Sequence, residues 1–209
     1  MRHTPSYLLT DETEVKRLIR ENPWATIVSN TANGLVASHY AVVLDTSTEL
    51  SDRGTGITLL SHFGRPDEQL HELGQHEVLV IIQGPHGYIS PSWYDNGEFV
   101  PTWNHVTAHL YGTPELLSDE ENFEVLGNLV DHFEHRMPLP VSLDLDEDSA
   151  RRIAKGTVGL RLRVTRFDAR LKLSQNKTPE VVERIVEALE GDGPYASRPL
   201  AAEMRRAAP

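Results

Sequence analysis

The side chains able to do chemistry in this 209-residue chain are ten histidines and a scatter of Ser, Asn, Lys, Arg and acidic groups, with no cysteine. The lack of cysteine excludes disulfides, iron–sulfur clusters, thiolate zinc sites and cysteine nucleophiles, and it suits a cytoplasmic home. There is no P-loop, no GxGxxG after a strand, no GxSxG elbow and no HExxH. Nucleotide hydrolysis, Rossmann binding and zincin chemistry therefore lose their usual signatures. His132 and His135 stand three apart near Asp131. They either hold a metal with a ligand from elsewhere or form a solvated helix face, and the second reading is preferred because no third ligand accompanies them. His105 and His109 share one face of a strand, where they either touch a ligand or hydrogen-bond within the wall. No set of residues makes a catalytic unit by itself.

Two stretches look built to receive an anion. In Ser61-His62-Phe63-Gly64-Arg65-Pro66-Asp67 a strand ends in polar residues, a glycine frees the turn and an arginine precedes a helix start. Backbone N–H groups, helix dipole and guanidinium would converge on a phosphate there. The alternative is a decorated turn with Arg65 in a surface salt bridge. Lys172, Ser174, Gln175, Asn176 and Lys177 offer a second group of donors ahead of a helix, or else a polar helix-entry loop.

These residues need strands to carry them. Asp11 or Thr10 caps a helix to about Asn22, and Pro23 closes it. WATIVSN (24–30) and LVASHYAVVL (35–44) form a hairpin around an Asn33–Gly34 turn. Residues 45–54 read as a polar loop, 56–62 as a third strand and 77–83 as a central one. Residues 101–117 form one long strand or two meeting at a bend. Ser118 caps a helix to Arg136, 149–155 is a short helix, 157–167 alternates as a strand, and 179–190 is the last helix. This makes one domain over 1–190, mainly β with peripheral helices, and a loose Gly-, Pro- and Ala-rich tail over 191–209.

The longest fully apolar run, Val78–Ile82, is too short to span a membrane, and MRHTPSYLL has no signal-peptide core. A net charge of −11 without a basic cluster disfavours direct DNA binding.

QGPHGYISPSWY (83–94), VPTWNHVTAHLYGT (100–113), KGTVGLRLRVTR (155–166) and KLSQNK (172–177), together with the residues above, resemble the PaiB family from about Tyr7 to Leu189. Its members are FMN-binding split-barrel proteins described as negative transcriptional regulators. That family is similar in turn to the pyridoxamine-phosphate-oxidase-like split barrels, usually homodimers with FMN at the subunit interface. The resemblance implies a split β-barrel, FMN as cofactor and a homodimer. It places Ser38 and His39 on the second strand's binding stretch, and Ser61, His62 and Arg65 on the segment that usually holds the phosphate. Asn104 and Thr107 fall near the ring pocket, and Lys172, Gln175 and Asn176 belong to the family's own block. The wider group often has several basic residues around the phosphate, whereas here Arg65 and Lys172 stand out. Some related barrels bind heme, for which His39, His62, His105 or His109 would be the axial ligand. The implied function is a flavin-binding regulator acting through flavin or a partner. The alternatives are a flavin-dependent oxidoreductase, with Trp93, Tyr94 and Trp103 walling its pocket, and a heme-binding barrel.

Overall fold

The computed structural model describes residues 4–46, 55–94, 97 and 99–207, so most of the expected 45–54 loop lies outside the described residues. The elements are β1 (Leu8–Leu9), α1 (Glu12–Glu21), β2 (Trp24–Thr31), β3 (Gly34–Leu44), β4 (Thr58–Gly64), α2 (Asp67–Leu70) and β5 (Val78–Ile89). Then follow β6 (Thr102–Gly112), β7 (Glu115–Leu116), α3 (Asp119–Glu134), α4 (Glu147–Ala154), β8 (Thr157–Arg163), β9 (Arg166–Lys172), α5 (Pro179–Glu190) and α6 (Arg198–Arg206). The mainly-β expectation holds.

The chain forms two compact units. Unit 2 comprises Asp11–Ile82 and His109–Phe167, and the strands wholly inside it are hydrogen-bonded in the order β2-β3-β4-β8-β7. The strand pairs β2–β3, β3–β4, β4–β8 and β7–β8 are antiparallel, as is β2 with the start of β5. The β2–β3 hairpin pairs Thr31 with Gly34, so Ala32 and Asn33 form the turn, one residue before the expected place. Register follows the buried face of β2, and a slip of one residue would turn Ala25, Ile27 and Ser29 outward. Gly34 takes φ +106°, a conformation that suits glycine. Asp11 caps α1 by accepting from Thr13 N at 2.8 Å. Ser118 and Glu121 close a capping box on α3, whose Val125 and Leu129 pack on Val43, Leu60 and Leu117.

Unit 1 comprises Met1–Thr10, Gln83–Ala108 and Asp168–Pro209. The later part of β5 runs on through Gly84, Pro85 and Gly87, although those residues announce a turn locally. The stretch expected as a loose tail instead forms α6, which buries Leu200, Ala201 and Met204. Arg205 fixes α6 to α5 through Glu183 and Glu190. If α6 is a working part of the core, Leu200→Ala should destabilise the protein by about 2–5 kcal/mol. Urea unfolding checks this, and an unchanged midpoint would restore the tail.

Candidate functional site

The site residues expected from the sequence fall into two groups, one in each unit. In unit 1 the two-residue period of β6 sorts them by face. Asn104, Val106 and Ala108 are buried, whereas Trp103, His105 and Thr107 lie on the other face, with Trp103 55% exposed. His86 stacks near Trp103 at a centroid distance of 6.5 Å, and Tyr88 meets it edge-on at 6.2 Å. Lys172 donates to Thr102 Oγ1 and, at 2.7 Å, to the Trp103 carbonyl. An ammonium has three N–H groups, so one remains for a ligand. His105 Nδ1 lies 3.1 Å from Thr107 Oγ1. Burial, together with Lys172, His86 and Arg170, holds the His105 pKa below its ordinary value. A cationic, aromatic face thus exists within a chain of net charge −11.

The KLSQNK block is a clasp. Asn104 Nδ2 donates to Ser174 Oγ at 2.9 Å, and Ser174 Oγ donates back to Asn104 Oδ1 at 3.2 Å, both residues being buried. Gln175 donates to the Leu171 carbonyl and accepts from Leu173 N at 2.7 Å. Asn176 Oδ1 accepts from Tyr7 OH at 3.3 Å, and Lys177 lies over the Tyr94 ring. Of the three aromatics expected to wall a pocket, Tyr94 is core, Trp93 is half-buried and Trp103 is open.

In unit 2 alternation separates neighbours that the sequence places side by side. Ser38 and His39 project to opposite faces of β3, as Ser61 and His62 do on β4. Ser61 is fully buried and donates to the Ala41 carbonyl at 2.6 Å. His62 lines a mostly apolar cavity of about 270 Å³ with Ala41, Leu126, Leu129 and Phe133. Its Nδ1 is buried without a hydrogen-bond partner among the described residues, and burial lowers its pKa. His39 is exposed beside Trp24. Arg65 donates from Nε to the Thr157 carbonyl at 3.2 Å and from Nη1 to Glu68 at 3.1 Å.

That second bond is the salt bridge the sequence left as an alternative. The expected convergence on an anion is weakened, because α2 has four residues and opens with Asp67 and Glu68. Arg65 Nη2 has no hydrogen-bond partner among the described residues. His71 escaped the sequence reading: it is fully buried, with Ser29 Oγ 2.8 Å from Nδ1 and Ser38 Oγ 3.0 Å from Nε2. No spacing rule would have found it, since it depends on strands β2 and β3 lying side by side. His132 and His135 contribute to no group of three metal-capable residues among the described residues.

Residues 1–166 match the family described as "Putative FMN-binding domain". The chain is 32% identical over 192 residues to the Bacillus subtilis "Protease synthase and sporulation protein PAI 2", covering 91% of this chain and 90% of that protein. The chain belongs to the PaiB family. Among solved structures, the FAD and heme binding protein from Mycobacterium smegmatis aligns over 79% of this chain and 73% of its own, with a TM-score of 0.57 and 17% identity. The flavocytochrome Anf3 from Azotobacter vinelandii aligns over 82% and 72%, with a TM-score of 0.59 and 14% identity. The chain therefore shares the split β-barrel fold of these flavin proteins, and it is a flavin-binding split-barrel protein. No helix among its described residues is long and apolar enough to cross a membrane.

Burial lowers the pKa of His62, His71, His105 and His132. The unfolded chain, with histidines near 6.5, then binds more protons than the folded one at mildly acid pH. Stability should be fully present above about pH 7 and fall as pH drops below about 6.5, before carboxylates titrate. Urea midpoints across that window check this, and a flat profile would refute it.

Proposed function

We propose that this PaiB-family chain binds FMN as a cytoplasmic homodimer and acts in negative transcriptional regulation through the flavin or a partner protein. One observation carries the flavin assignment: exposed Trp103 stands beside Lys172 and the His105–Thr107 pair in an otherwise acidic chain. An aromatic plane with adjacent donors and positive charge suits a flat, anionic, heteroatom-rich ligand. Unit 2 offers a separate candidate for a phosphate oxygen in Arg65, whose Nη2 has no hydrogen-bond partner among the described residues. The homodimer is supported by the open sheet face of unit 2, where Trp24 stands exposed beside His39 and Leu35 is exposed further along β3. Net charge −11 favours regulation without direct operator contact.

A flavin-dependent oxidoreductase shares this site, because the cofactor would carry the electrons and the protein the orientation. The Mycobacterium and Azotobacter neighbours extend the alternatives to heme, for which exposed His39 beside Trp24 and cavity-lining His62 are candidate imidazoles.

Titration of the purified protein with FMN, followed by flavin absorption and fluorescence, tests the assignment. Tight binding is expected, with Arg65→Ala weakening it by about 1.5–3 kcal/mol if Nη2 grips the phosphate. Unchanged affinity in that variant would remove Arg65 from the site. A Soret band with indifference to FMN would replace flavin by heme. A gel shift by the chain alone at micromolar concentration would overturn indirect regulation.

A further inference from the structure

His71 follows α2, and both its ring nitrogens meet serine hydroxyls, Ser29 on β2 at 2.8 Å and Ser38 on β3 at 3.0 Å. Its ring also stands edge-on to Phe63 at 5.2 Å. A buried Ser–His contact suggests first a nucleophile and its base. Which way the protons run decides whether that suggestion is right.

A neutral imidazole donates at one nitrogen and accepts at the other. Burial lowers the His71 pKa, with Asp67 opposing and His76 adding to the fall, so the ring is neutral near pH 7. The chain of hydrogen bonds then runs either from Ser29 to Ser38 or the reverse. Ser29 is fully buried, and among the described residues its side chain has His71 as its sole hydrogen-bond partner. If Nδ1 carried the proton, the Ser29 hydroxyl hydrogen would be enclosed with nothing to accept it, a state buried hydroxyls avoid. Ser38 is half-buried and can turn its own proton to water or a ligand. The satisfied direction has Ser29 donating to Nδ1 and Nε2–H donating to Ser38 Oγ.

We infer that His71 is a positioning residue that makes Ser38 an outward hydrogen-bond donor to a ligand oxygen, rather than a base that makes Ser38 a nucleophile. With Nε2 already protonated, it has no lone pair to take the Ser38 proton. Accepting from Nε2–H also polarises the Ser38 hydroxyl and strengthens its own donation. The recognised chemistry is an acceptor oxygen, supplied by either a phosphate or a ring carbonyl. This ligand end rests on the flavin reading above.

Nitrogen-15 spectra of the ligand-free protein, with labelled histidines, read the tautomer directly. The expected pattern is a protonated Nε2 and a bare Nδ1 at His71, and a protonated Nδ1 would overturn the inference. Ser29→Ala removes the donor to Nδ1 without touching Ser38, and should scramble the tautomer and weaken FMN about tenfold, or ~1.4 kcal/mol. Ser38→Ala should weaken it similarly, and the double variant no further. Fully additive losses, or no loss in either single variant, would overturn the relay. Parallel titrations with riboflavin separate the oxygen sources: losses confined to FMN assign the phosphate, and equal losses assign the ring. Covalent capture of Ser38 by a fluorophosphonate would overturn the inference in favour of a nucleophile. A wild-type protein that ignores both flavins would overturn the flavin reading and the ligand end, while the tautomer still decides the relay.

Discussion

Asn104 and Ser174 meet through reciprocal hydrogen bonds of 2.9 and 3.2 Å where water has no access, and the candidate site of unit 1 takes its geometry from that pair. Ser174 sits at φ 65°, a conformation serine holds only when its surroundings fix it. With the turn fixed, Gln175 folds back on Leu171 and Leu173, and Asn176 reaches Tyr7. Turning Asn104 inward also commits β6 to a register that puts Trp103, His105 and Thr107 outward. Lys172, at the end of β9, can then reach both Thr102 and the Trp103 carbonyl. Two neutral polar side chains therefore set the position of one cation and of three residues on the outer face of β6.

The local field at that face differs in sign from the net charge. Salt screens exposed charges within about 8–10 Å, so the acidic residues elsewhere reach it weakly. Lys172, Arg170 and His86 act on His105 from close by. A small anion samples only this neighbourhood, whereas duplex DNA would sample a much larger and mostly acidic surface. The same charge distribution thus favours a phosphate-bearing small ligand and disfavours an operator.

Local signals gave a good account of the elements and a poorer one of the contacts. Ser118 and Glu121 mark α3 because a capping box is written in four consecutive residues. The hairpin was legible, but its turn moved by one residue because register answers to the buried face of β2. Pro85 and the nearby glycines favour a turn locally, yet β5 continues through them, since neighbouring strands override local preference. The apolar stripe of α6 is only nine residues long and follows a Gly- and Pro-rich approach, so it did not stand out. Grouping Ser38 with His39, and Ser61 with His62, overlooked an alternation that the sequence itself carries. His71 was beyond reach for a different reason. Its partners lie 42 and 33 residues away, and only the pairing of two strands brings them to one ring.

The polar residues divide by what their hydrogen bonds already do. Asn104, Ser174 and Ser61 are enclosed, with partners inside the protein. Arg65, Lys172, Thr107 and Ser38 combine an internal anchor or partial burial with surface left for a ligand. An anchored donor loses less freedom on binding than a loose one, so it gives more affinity per contact. In the direction the burial of Ser29 favours, His71 and Ser38 do not form a nucleophile–base pair. On the proposed flavin reading these side chains hold and orient the ligand, and electron transfer, where it occurs, belongs to the flavin.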